Sequence, residues 1–156
     1  MANIYKPPTP LDETTPRRNI FLAGSIEMGA AEDWQVTLEE KLSDLDIDIY
    51  NPRRDNWDPT LEQKADNLPF REQVEWELNA LDLVDYIVMY LSPGTISPIS
   101  LLELGLYAES CKLIVCCPEG FHRKGNVDIV CERYNIKQVG SLDEVVLHIK
   151  QHWWFQ

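Results

Sequence analysis

The stretch DYIVMYLSPGTISPISLLELGLYAESCKLIVCCP, Asp85 to Pro118, reads as a strand, a helix and a second strand in one run. DYIVMYLS and KLIVCCP are short apolar segments bounded by turn residues, the form of fully buried strands. Between them, ISLLELGLYAES has helical character and opens on a Ser97-Pro98 start signal. Strand, helix, strand is the unit of a parallel sheet. Inside the helix one carboxylate, Glu103, stands among Leu101, Leu102, Leu104 and Leu106. Burial raises the energy of an ionised carboxylate and pushes its pKa up. Such a group is either paired for structural reasons or kept for chemistry, and position alone leaves both open.

The same alternation extends in both directions. Upstream, NIFLAG is a buried strand meeting Gly24-Ser25, and AAEDWQVTLEEKLSDL is a helix with Trp34, Leu38, Leu42 and Leu45 at helical spacing and acids in its first turn. DIDIY alternates as a strand, and FREQVEWELNALDLV is a helix with Phe70, Val74, Leu78 and Leu81 on one face. Downstream, GNVDIVCERY is a short helix and IKQVG a strand. SLDEVVLHIKQHW is a closing helix with Ser141 and Glu144 as a capping box. The order β-α-β-α-β-α-β-α-β-α predicts a parallel sheet covered by helices on both faces. Residues 1–18, with four prolines, read as an irregular lead-in, and residues 19–156 as a single domain.

Composition narrows the partners. A formal net charge of -12 disfavours a nucleic-acid partner, and no apolar run reaches membrane-spanning length. The N-terminus lacks the plan of a signal peptide, which points to a cytoplasmic protein. Cys111, Cys116, Cys117 and Cys131 lack zinc-type spacing and read as core thiols; His148 and His152 read as a surface pair.

In a parallel sheet the ligand crevice lies at the carboxyl ends of the strands, near the switch in strand order. After the first strand comes GSIEMG, where Gly24, Ser25, Ile26 and Glu27 allow close backbone approach, although a plain tight turn explains them equally. After the second comes a long polar connection, Asn51 to Pro69, of the length of a lid or binding loop. It carries Arg53, Arg54 and Trp57, the last either solvated or a flat wall for a planar base. After the third strand come SPGTISPIS and then Glu103, which free amides at the helix start would hold ionised. Glu77, on the preceding helix, could face the same pocket or sit in a surface ion pair. Paired carboxylates in different environments are the usual machinery of glycosyl-bond chemistry.

Three segments then resemble, in order, the nucleoside 2-deoxyribosyltransferase family with its nucleotide N-glycosidase relatives. They are IFLAGSIE (Ile20 to Glu27), EWELNALDLVDYIVMYLSPG (Glu75 to Gly94) and ISLLELGLYA (Ile99 to Ala108). The resemblance implies a flavodoxin-like, three-layer α/β fold with a five-stranded parallel sheet, and cleavage of a nucleoside N-glycosidic bond with transfer to another base or to water. It makes Glu103 the nucleophile at C1′ and Glu77, where the family usually has Asp, the base-side acid. Ser97 takes the sugar-binding position, Trp57 or Phe70 stacks on the base, and no metal or cofactor is needed. Asn126, after strand four, reaches a neighbouring subunit's site, which implies a homodimer or larger homo-oligomer. The chain end, Trp153 to Phe155, closes the core or an interface, or covers the ligand.

Two departures shape the substrate expectation. Glu27 stands where nucleotide-hydrolysing relatives often carry Arg, which favours an unphosphorylated nucleoside, unless Arg53 or Arg54 supplies the missing charge. SPISLL replaces a glycine-rich approach, and the bulk of Ile99 suits deoxyribose. Two alternatives stand beside this reading: a silent nucleoside-binding module and a nucleoside monophosphate hydrolase.

Overall fold

The computed structural model describes residues 1–27, 31–55 and 58–153. Six strands form one parallel sheet: β1 (Asn3–Tyr5), β2 (Arg18–Gly24), β3 (Ile47–Tyr50), β4 (Tyr86–Tyr90), β5 (Leu113–Cys116) and β6 (Lys137–Val139), in the order β1-β3-β2-β4-β5-β6. Five helices connect them: α1 (Trp34–Lys41), α2 (Leu68–Leu83), α3 (Pro98–Tyr107), α4 (Lys124–Arg133) and α5 (Leu142–Trp153). This is the expected flavodoxin-like arrangement with one strand more than the five expected.

The period-two alternation of the strands sorts their side chains into two cores. Phe21, Ala23, Ile87, Met89, Leu113 and Val115 point to one face, where Trp76 and Ala80 of α2, Leu104 of α3 and Val127 of α4 cover them. Ile20, Leu22, Val88, Ile114 and Cys116 point to the other, beneath Trp34 and Leu38 of α1 and Val145 and Ile149 of α5. The chain leaves β2 for β3 on one side and returns for β4 on the other. The switch point therefore falls between the carboxyl ends of β2 and β4.

The extra strand corrects the irregular lead-in. β1 pairs in parallel with β3, Ile4 opposite Ile49. Its anchor is Asp48, 1% exposed, which pairs with Arg17 at 3.2 Å and accepts hydrogen bonds from Asn3 at 2.9 Å and Thr15 at 2.9 Å. A buried carboxylate must be paired, and three lead-in residues pair this one. Trp76 Nε1 also donates to the Thr9 carbonyl at 2.8 Å, tying the lead-in to α2.

The face of α2 is also corrected. Gln73, Trp76, Ala80 and Leu81 are buried, while Leu78 is 38% exposed. The true core face lies about one residue round the helix from the apolar stripe. A buried Gln and an exposed Leu misled the periodicity. α1 starts at Trp34, so Glu32 and Asp33 precede its first turn, and Asp33 accepts a hydrogen bond from the Val36 amide as N-cap. On α5 Ser141 caps as expected, while Glu144 reaches the amide one residue before the cap. The Glu144 amide donates to Ser141 Oγ at 3.2 Å, and the Glu144 carboxylate accepts from the Gly140 amide at 2.7 Å.

Candidate active site

Ser25 and Glu27, beyond the end of β2, meet the loop after β4 across the switch point. Gly24 has φ +136°, and a Cβ there would lie 2.2 Å from the Tyr90 carbonyl. Glycine is therefore demanded by the closeness of β4, whatever binds nearby. The Ser25 amide donates to the Tyr90 carbonyl at 2.9 Å, and Ser25 Oγ accepts from the Ser92 amide at 2.8 Å. Ser25 Oγ lies 2.6 Å from Ser97 Oγ and 3.0 Å from Thr95 Oγ1, a closed cluster of three hydroxyls. Ser97 is thus at the crevice but buried, its hydroxyl held by protein partners. Ile26 is partly buried beside it.

Glu27 has a role that sequence reasoning missed. Its Oε1 accepts from the Ser97 amide at 2.6 Å and the Ile96 amide at 3.1 Å, capping α3 from a distant part of the chain. Ser97 makes no side-chain cap of its own and sits in the left-handed region at φ 48°. Glu27 also has φ 48°. Two non-glycine residues in that region cost free energy, which the shared hydrogen bonds offset. No local pattern announces such a cap.

Glu103 is in the second turn of α3 and 8% exposed. No amide at the start of α3 bonds it, contrary to that expectation, and Glu27 takes the Ile96 and Ser97 amides just ahead of the helix. Glu103 has no hydrogen bond or ion pair among the described residues. Burial instead pushes its carboxyl up to about 8, and the neighbouring Glu77 charge adds to the push.

Glu77 lies on α2, seven residues after Phe70 and four after Gln73, so all three share one side of the helix. Burial raises its carboxyl to about 7, against the Gln73 hydrogen bond at 2.9 Å and the Arg54 charge, which pull it down. Phe70 is partly buried in the first turn, which Asn67 caps at 3.3 Å. The Glu77 charge on α2 thus bears on the ionisation of Glu103 on α3.

The two arginines of the long connection diverge. Arg53 donates to the carbonyls of Ala31 at 2.8 Å and Glu32 at 3.0 Å, fixing the chain ahead of α1. Arg54 faces Glu77 electrostatically. Asn126 is exposed on α4, three residues before Ile129, which is 66% exposed. Trp57 and the end of the GSIEMG turn lie outside the described residues, as do Trp154 and Phe155.

A separate cavity of about 600 Å³ opens on the opposite face of the sheet, bounded by Glu32, Trp34, Tyr90, Lys41 and Asp143 among others. It contains neither carboxylate. Its polar groups are matched to one another, Lys41 with Asp143 at 2.6 Å and Tyr90 with Glu32 at 2.9 Å. Among the described residues no cluster of side chains has metal-site geometry, and no helix is long and apolar enough to cross a membrane.

A family model described as nucleoside 2-deoxyribosyltransferase like matches residues 17–121. That span runs from β2 past the end of β5 and includes both carboxylates. No curated protein matches the chain significantly.

Proposed function

The chain belongs to the nucleoside 2-deoxyribosyltransferase-like family, and on that premise we propose that it cleaves the N-glycosidic bond of a deoxynucleoside through a glycosyl ester on Glu103. The observation that carries this reading is Glu103 itself: a desolvated carboxylate, next to a second one, with no cation or amide of its own. A structural carboxylate would be paired, as Asp48 is.

In the first step a Glu103 oxygen bonds to C1′ while the C1′–N bond breaks. The bonding pair leaves with the base, which takes a proton from Glu77. In the second step a nitrogen of another base, or water, attacks C1′. The ester bond breaks, its electron pair returns to Glu103, and the incoming group's proton passes to Glu77. The chemistry needs one proton on the pair. Burial raises both carboxyls, Glu103 the more, so near neutral pH the single proton rests first on Glu103 and passes to Glu77 as the base binds.

Glu27 supports an unphosphorylated substrate. Its carboxylate occupies the Ile96 and Ser97 amides just ahead of α3 and adds a negative charge beside the crevice, which disfavours a phosphate there. A second copy of the chain completes the site. Ile99, Leu102 and Leu106 run along α3, with Ile96 just ahead of it, each more than half exposed, and exposed Asn126 lies on α4 on the same side of the sheet. An isologous pairing of this face would bring Asn126 toward the partner's crevice.

The test is incubation of wild type and Glu103→Gln with a deoxynucleoside panel, with and without a free acceptor base. Wild type should release or exchange base, and a glycosyl adduct should appear by mass spectrometry of quenched enzyme. Glu103→Gln should lose activity by roughly a thousandfold or more. Retention of near-full activity would remove Glu103 from the reaction.

A further inference from the structure

Between β3 and α2 the polar side chains from Asn51 to Asp55 have partners, with one exception. Asn51 donates to Glu39 at 2.6 Å, Arg53 to two carbonyls, and Asp55 pairs with Lys6 at 2.9 Å. Arg54 makes no hydrogen bond among the described residues, and its Nε is buried without a partner. A guanidinium has five donors, no acceptor and a charge it cannot lose. Holding it partly buried and unbonded is unfavourable unless something outside the chain completes it. Its charge bears on Glu77. There Gln73 donates to the Pro52 carbonyl at 3.2 Å and to Glu77 at 2.9 Å, while Gln73 Oε1 is buried and also unpartnered.

We propose that Arg54 selects the base, by donating to a carbonyl oxygen beside the ring atom that Glu77 protonates. This rests on the reading of Glu77 as the base-side acid. In a 6-oxopurine N7 and O6 lie side by side, so Glu77 can protonate N7 while Arg54 donates to O6. Adenine puts an amino group at that place, so donor meets donor and both stay unpaired. A pyrimidine offers its 2-carbonyl next to the glycosidic nitrogen. The ligand class is therefore a carbonyl-bearing base, with adenine disfavoured. A phosphate is the other natural partner of an arginine, but the Arg54 charge acts on Glu77, the base-side acid, and the Glu27 carboxylate beside the crevice would repel a phosphate.

Hypoxanthine and adenine differ in the 6-substituent and the N1 proton, which makes them the comparison to use. Base release from deoxyinosine, deoxyuridine and deoxyadenosine is measured for wild type, Arg54→Gln and Arg54→Lys, and free hypoxanthine and adenine are titrated calorimetrically into each. Wild type should favour the two carbonyl bases by on the order of tenfold or more, and Arg54→Gln should bring the ratios close to one. Equal handling by wild type overturns the proposal, as does an unchanged ratio in an Arg54→Gln variant with wild-type melting temperature. Should Arg54→Gln fail to fold, Arg54→Lys decides: its shorter reach and unforked donor should narrow the ratio, and an unchanged ratio overturns the proposal. Selective binding of hypoxanthine that Arg54→Gln abolishes, with no base release from any nucleoside, would sink the Glu103 mechanism and leave Arg54 as the base reader.

Discussion

Glu103 differs from every other acid in the chain that the fold buries. Asp48 is enclosed by Arg17, Asn3 and Thr15, whereas Glu103 meets only Glu77 as a charged neighbour. Two consequences follow from its raised pKa. Turnover requires the singly protonated pair, so kcat/KM should be bell-shaped, with both limbs above the ordinary carboxylate range of about 4. A pH profile flat from 5 to 9, in units on the order of those shifts, would be incompatible with a catalytic pair. The second concerns stability. A carboxyl raised in the folded state stabilises fully below its unfolded pKa, and that contribution is lost as pH rises through about 8. Glu103→Gln should therefore melt higher than wild type, by a margin that grows from mildly acidic to alkaline buffer. A margin that stays constant with pH would mean that Glu103 is not desolvated as described.

At the level of elements, α3 depends on residues far from it in sequence. The amides of its N-cap Ser97 and of Ile96 before it are bonded by Glu27 from beyond β2, and Ser97 is held in a left-handed conformation by hydroxyls of Ser25 and Thr95. Glu27→Ala removes the cap and should cost about 1 kcal/mol of stability. It also frees the Ile96 and Ser97 amides, so a deoxynucleoside monophosphate should bind the variant better than wild type. Lost stability with no gain for the monophosphate would limit Glu27 to a structural part. Local pattern announced α3 and its proline start, and it announced α5 with its box of Ser141 and Glu144. It could not announce a cap supplied 70 residues away, nor the α2 face, where Gln73 is buried in place of an apolar residue.

Across the whole molecule the exposed α3 face is the feature that a single copy leaves unexplained. Three large apolar side chains on one helix, with Ile96 just before it, exceed the scattered exposure normal for a monomer. Leu102→Glu should convert a dimer to a monomer in light scattering and, by withdrawing the partner's Asn126, lower activity as well. A wild type that is already monomeric at micromolar concentration would end the two-copy model. The sequence by itself determined the alternation of strands and helices, their two-sided core and the family motif around Glu103, because each depends on short-range periodicity and turn chemistry. It also singled out both carboxylates as candidates. Only the tertiary structure decided that Asp48 recruits the lead-in as a sixth strand, that Glu27 braces the residues just ahead of α3, and that Arg53 is bonded while Arg54 has no hydrogen bond among the described residues. The reason is physical: burial and hydrogen-bond satisfaction are settled by which distant groups come within about 3 Å, and that information is absent from any local stretch of chain.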